Sequence, residues 1–137
     1  MRDLDQLYKF AFEQSPLPVA TLEGPNFTFT FVNPTFSQMF PERSLTGKPI
    51  FEALPELKGQ LFETLLAEAI KTNAICKYDE APVFIGDEKG GKLRYFNLIF
   101  SPEPKAAGTT PAVSIYMHEV SDKVYQQKLD ADWSILN

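Results

Sequence analysis

Residues 92–102, KLRYFNLIFSP, form the densest apolar run in the chain, and a single amide, Asn97, sits in its middle. Turn-rich segments bound it, residues 86–91 before and 102–111 after. A short aromatic and aliphatic run between such breakers is the pattern of a β-strand. Side chains alternate across a strand, so Phe96, Leu98 and Phe100 share one face while Tyr95, Asn97, Ile99 and Ser101 share the other. Residues 112–120 divide the same way, Val113, Ile115 and Met117 against Ser114, Tyr116 and His118. The wholly apolar sets are expected to face inward. Asn97 is then expected on the outer face with Tyr95, Ile99 and Tyr116, unless a bulge breaks the alternation. That outer face is too apolar to stay bare, and an N-terminal helix, a partner subunit or both are expected to cover it.

The rest of the chain supplies layers for such a sheet. Leu4, Leu7, Tyr8 and Ala11 recur at helical spacing within residues 1–14. Ser15-Pro16 ends that helix, because proline disfavours the α conformation in the residue before it. Residues 19–22 and 27–32 read as a hairpin around Gly24-Pro25-Asn26, with Phe27, Phe29 and Phe31 alternating against Thr28 and Thr30. Asn33-Pro34 then suits a helix cap and first turn, placing Phe36, Met39 and Phe40 on one face. Short turns broken by Gly47, Pro49 and Pro55 lead to a long helix expected over residues 57–72, whose stripe of Leu57, Leu61, Phe62, Leu65, Leu66, Ala69 and Ile70 packs on the sheet. Residues 75–85 are a strand interrupted by Pro82, hence an edge or a bulge. Residues 103–111 read as a mobile loop. Ser121 can cap a final helix carrying Tyr125, Leu129, Trp133 and Leu136.

With 137 residues and a net charge of −5, the chain can build one core, and it lacks the basic excess of a general nucleic-acid binder. No apolar run approaches the roughly 20 residues of a membrane helix, and the N-terminus lacks a signal-peptide core. With one cysteine, Cys76, no intramolecular disulfide framework is possible. A cytoplasmic domain follows as the expectation, without direct membrane insertion, although a longer parent can be membrane-bound. Nor does the chain order suggest a Ser-His-Asp or Cys-His constellation. Asp79 and Glu80 are adjacent and point to opposite faces in a regular strand, so they make no catalytic pair there. Gly90-Gly91 lies between strands and reads as a hairpin turn, not a phosphate loop.

Four segments, FTFTFVNPTFSQMF, LTGKPIFEALPEL, YFNLIFSPEP and SIYMHEVSD, occur in an order and at gaps that resemble the PAS family of sensor domains, in the form found ahead of bacterial histidine kinases. Val32-Asn33-Pro34 resembles that family's step from second strand to first helix, Gly47-Lys48-Pro49 its "Gkp", and Glu119-Val120-Ser121-Asp122 its closing "DITE", with Glu119 in place of the usual aspartate. The resemblance implies an α+β fold: a five-stranded antiparallel sheet with helices on one face and flanking N- and C-terminal helices. It implies a PAS domain over residues 15–120, an N-terminal flanking helix over 1–14 and a signalling or linker helix over 121–137.

It also implies a non-catalytic sensory module of a homodimer with an attached output domain, acting by a population shift passed to the final helix. The candidate pocket is lined by Phe36, Phe40, Leu54, Leu66, Phe96, Leu98, Phe100, Ile115 and Met117, and would take a small apolar ligand or simply fill with its own side chains. Relatives that sense light need an adduct-forming cysteine, and residues 47–56 have none; relatives that bind haem often ligate it from the long helix, which has no histidine. No flavin, haem or metal is therefore expected. His118, the only histidine, sits late in the last strand. Two alternatives stay open: a small α+β enzyme with an apolar cavity, and a dimerisation module without a ligand. Tyr125, Leu129, Trp133 and Leu136 either pair across a dimer or fold back on the sheet.

Overall fold

The structure is a computed structural model and describes residues 11, 13–87, 89–103 and 111–136, with side chains described as far as residue 131. Of the N-terminal helix expected over residues 1–14 only 11, 13 and 14 fall within it, and these are helical; most of the loop at 103–111 lies outside the described residues. Five strands make one antiparallel sheet: β1 (Val19–Glu23), β2 (Thr28–Val32), β3 (Cys76–Asp87), β4 (Gly90–Pro102) and β5 (Ala112–Glu119), in the order β2-β1-β5-β4-β3. Between β2 and β3 the chain forms α1 (Pro34–Gln38), α2 (Ile50–Ala53), a 3₁₀ turn (Pro55–Leu57) and α3 (Leu61–Thr72); α4 (Ser121–Leu136) follows the last strand. Residues on one sheet face and the helices above it make one core, in which Phe62 meets Phe100 edge-on at 5.0 Å and Phe36 lies 5.9 Å from Phe29.

One buried amide fixes how the chain enters this core. Asn33 is fully buried; its Oδ1 accepts from the Phe36 N–H at 2.9 Å and the Val19 N–H at 3.0 Å, and its Nδ2 donates to the Leu17 carbonyl at 2.8 Å. It caps α1, whose first residue is Pro34, and ties the start of β1 to the end of β2.

Four expectations change. The long helix starts at Leu61, not Leu57, because Gly59 adopts φ +84° and leaves Leu57 in the separate 3₁₀ turn. The phenylalanine alternation in β2 is broken: Leu22 pairs with Phe29 and Thr21 with Phe31, so Thr30 is an extra residue. Phe29 alone of the three is fully buried, and Phe27 takes φ +53° just outside the strand. On β3 the irregularity falls at Asp79 and Glu80, between the pairs Tyr78–Leu98 and Ala81–Phe96, so the simple alternation of those two carboxylates does not apply. Pro82 follows it, on a strand that is indeed the sheet's edge.

The fourth concerns Ser121. Its hydroxyl does not cap α4 but accepts from the Tyr95 N–H at 2.9 Å and donates to Glu119 Oε2 at 2.6 Å.

Candidate functional site

All nine candidate pocket residues are buried at 2% exposure or less, on α1 and just after it, at the end of α2, on α3 and on the inner faces of β4 and β5, and all belong to one packed cluster. On the opposite parity, Tyr95, Asn97, Ile99 and Tyr116 are half-buried. The pairing of β4 with β5 runs without a shift from Phe96–Glu119 to Pro102–Val113, so the alternation holds through Asn97. Asn97 Oδ1 accepts the Glu80 N–H at 3.0 Å, which occupies the amide with the irregular stretch of β3.

The stripe expected on the final helix divides. Tyr125 folds back: its hydroxyl donates to the Leu93 carbonyl, and its ring meets Tyr95 edge-on at 5.9 Å. Lys92 Nζ lies 5.7 Å from the Tyr125 ring centre and Lys128 Nζ lies 5.3 Å from that of Tyr95, so cations flank the aromatic pair. Part of the cover sought for the outer face is thus supplied by this chain's own final helix. Leu129 is 62% exposed, and the side chains of Trp133 and Leu136 lie outside the described residues. Val124, which the spacing argument passed over, is buried beside Ser121.

Two polar junctions join the layers. At the root of α4, Arg94 grips Glu119, with Nε 3.0 Å from Oε2, and the same carboxylate accepts from Ser121. Tyr95 is held from both sides of its peptide, its N–H by Ser121 Oγ and its carbonyl by the Val120 N–H at 2.8 Å. At the β3 edge, Arg43 donates two hydrogen bonds of 2.6 Å to Glu56, which also accepts the Gly86 N–H at 2.9 Å.

Neither ion pair was among the candidate residues. Arg94 and Glu119 were findable: each continues the inward parity of its strand, Arg94 with Phe96 and Glu119 with Met117, and a charge at such a position needs a partner. Arg43 and Glu56 stand in short turns without a period, where spacing carries no signal.

The Arg94 hydrogen bond, against burial and with help from the Ser121 hydroxyl and the guanidinium charge, holds the Glu119 carboxyl below its ordinary value of 4.5. For Glu56, burial pushes the pKa up, but the Arg43 hydrogen bonds, backbone N–H groups and the Arg43 charge outweigh it, and the carboxyl again lies below 4.5. Carboxyls depressed in the folded state stabilise it above their unfolded pKa, and that stabilisation disappears as pH falls through the folded values. The urea midpoint is therefore expected to stay level from neutral pH down to about 5 and to fall below about 4.5. Glu56, whose side chain is 7% exposed against 34% for Glu119, is expected to account for more of the fall, since solvent screens it less. Comparing Glu56→Gln with Glu119→Gln across that range checks the assignment.

Among the described residues there is no group of three or more His, Cys, Asp and Glu side chains able to hold a metal, and no helix long and apolar enough to cross a membrane. Cys76 is a half-buried free thiol at the start of β3, and His118 is exposed.

The sheet order, the helical layer over its inner face and the final helix leaving β5 define an α+β domain built on one five-stranded antiparallel sheet. A family model for the PAS fold matches residues 12–124, and the chain belongs to the PAS family. Solved structures share the architecture at low identity. An RNA-binding light-oxygen-voltage receptor is 15% identical with a TM-score of 0.71, over 96% of this chain and 37% of its own. A sensory box sensor histidine kinase from Vibrio cholerae is 19% identical with a TM-score of 0.57, over 84% of this chain and 87% of its own. The PAS domain of nitrogen regulation protein NR(II) from Vibrio parahaemolyticus is 10% identical with a TM-score of 0.63, over 87% of this chain and all of its own. At these identities the likeness is one of fold.

Proposed function

We propose that this PAS domain is a non-catalytic regulatory module of a signalling protein, with a sensor histidine kinase as the parent class. It works by shifting the population between two arrangements of sheet and final helix. The observation that carries this reading is the junction at the root of α4. Arg94 and Tyr95 on β4, Glu119 on β5 and Ser121 on the helix share one set of hydrogen bonds, so strand and helix cannot move independently without breaking them. A small apolar ligand in the interior, or a changed contact with a second copy, would bias the equilibrium by whatever it binds differently in the two states. The cluster from Phe36 to Met117 supplies the apolar lining for such a ligand. On sequence grounds the reading takes the interior as free of flavin and haem, because residues 47–56 hold no cysteine and α3 no histidine.

In this reading the exposed Leu129 meets an output segment or a second copy, and the setting is cytoplasmic. Native mass spectrometry of the purified chain tests both forms of the bias. A dimer, or a co-purified apolar molecule, is the expected result; a strict monomer without a ligand would contradict it. An absorption spectrum with flavin or haem bands would overturn the cofactor reading.

A further inference from the structure

The outermost strand of a sheet leaves a row of backbone N–H and C=O groups facing away from its neighbour. On the β2 side of this sheet that row is met by backbone: Phe29 donates to the Lys48 carbonyl at 3.0 Å and accepts from the Gly47 N–H at 2.8 Å. On the β3 side it is met by side chains of the helical layer. Pro82 has no N–H to offer. Phe84 donates its N–H to Gln60 Oε1 at 2.8 Å, and its carbonyl accepts from Gln60 Nε2 at 2.9 Å. Gly86 donates to Glu56 Oε2, the carboxylate that Arg43 holds. Two side chains therefore do on this edge what a strand of backbone does on the other.

The seam they close borders an open cleft of about 790 Å³, with Arg43, Ala53, Pro55, Glu56, Phe84 and Gly86 on its walls. Ala53 belongs to the buried core and is 9% exposed, so this cleft ends on the outer boundary of the core. At the other end of β3 the irregular stretch at Asp79 and Glu80 interrupts the pairing with β4 and provides a place for the strand to bend.

We propose that this seam is the gate of the domain's interior: the outer half of β3 parts from the helical layer when Gln60 and Glu56 release Phe84 and Gly86, and small apolar molecules reach the core there. Opening breaks a few side-chain hydrogen bonds and leaves the pairing of β3 with β4 intact. It is the kind of local event that proceeds far more readily than global unfolding. The gate extends the proposed function by giving its apolar ligand a route, and it rests on that reading only for its use; the opening is testable without any ligand.

The test places a thiol inside and times its modification. In a Cys76→Ala background, Met117→Cys is exposed to methyl methanethiosulfonate and the rate is followed by mass spectrometry. Gln60→Ala and Glu56→Gln, added singly, are expected to raise that rate about tenfold or more, while Thr30→Ala, exposed on β2 at the opposite edge of the sheet, leaves it near the parental value. Rates equal to the parental value in the seam variants, or an equal rise with Thr30→Ala, would overturn the gate. Should Met117→Cys fail to fold, amide exchange in the unmodified interior decides. The Phe84 and Gly86 protons, bonded to side chains, are expected to exchange about tenfold faster than those of Val83 and Ile85, whose N–H groups point to β4 by the alternation of an antiparallel ladder. Uniform exchange across residues 83–86 would refute the proposal. Faster labelling in the seam variants, together with native spectra free of any ligand, would keep the gate and reject the ligand reading.

Discussion

Asn33→Ala is expected to destabilise the fold by about 3–5 kcal/mol, among the largest effects available to a polar substitution in this chain. The side chain is wholly buried and serves three backbone groups from three places: the N–H of Val19, the N–H of Phe36 and the carbonyl of Leu17. Alanine removes the cap of α1, worth about 1 kcal/mol by itself. It also leaves the buried N–H of Val19 without this partner, at about 1–3 kcal/mol when no water can replace it, while the loss at Leu17, which is exposed, is smaller. A domain of this size has about 5–15 kcal/mol in hand, so the urea midpoint should fall steeply with little change in slope. A loss under about 1 kcal/mol would show that water fills the site and that Asn33 is not the pin described above.

Phe100→Ala is expected to cost about 3–5 kcal/mol for a different reason. The ring is fully buried, packs edge-on against Phe62 of α3 at 5.0 Å, and sits on β4 between Cys76 of β3 and Ile115 of β5. Removing it deletes apolar burial and opens a void that the flanking strands cannot collapse into. An apolar void of that kind stays dry and takes up small aromatic molecules. Benzene should therefore raise the melting temperature of the variant more than that of the parent. If the parent gains as much, its interior already holds a usable cavity. The measurement thus separates a core filled by its own phenylalanines from a standing pocket.

Strand parity made the inner face of the sheet readable in advance. Phe96, Leu98 and Phe100 on β4 and Ile115 and Met117 on β5 follow the period of two, and all are buried. Parity also turned Asn97 away from the wholly apolar set; its bond to Glu80 links it to the neighbouring strand. The same rule misled in β2, because the extra residue Thr30 changes the phase after Phe29 and nothing in an alternating Phe-Thr run marks it. The start of α3 was misjudged because Gly59 tolerates φ +84°, a conformation that hydrophobic spacing does not register. Ser121 has the residue type of a helix cap, yet the carboxylate of Glu119 and the N–H of Tyr95 compete for its hydroxyl and win. The two junctions depend on contacts between residues up to 30 apart, Glu56 to Gly86, and such pairings exist only once the sheet has formed. Tyr125 shows the same limit: its spacing left open pairing across a dimer and folding back on the sheet, and tertiary contacts with Leu93 and Tyr95 place this one residue against its own domain.

In the proposed mechanism the interior of the sheet and the final helix are coupled through Arg94, Glu119 and Ser121. The most direct measurement is of amide resonances along α4 after a mild change inside the core. Leu98→Val, on the buried inner face of β4 four residues past Arg94, is predicted to shift the amides of Val124 to Lys128, and the shift is predicted to vanish when Ser121→Ala or Arg94→Ala is also present. Shifts of equal size with and without the junction would contradict the account.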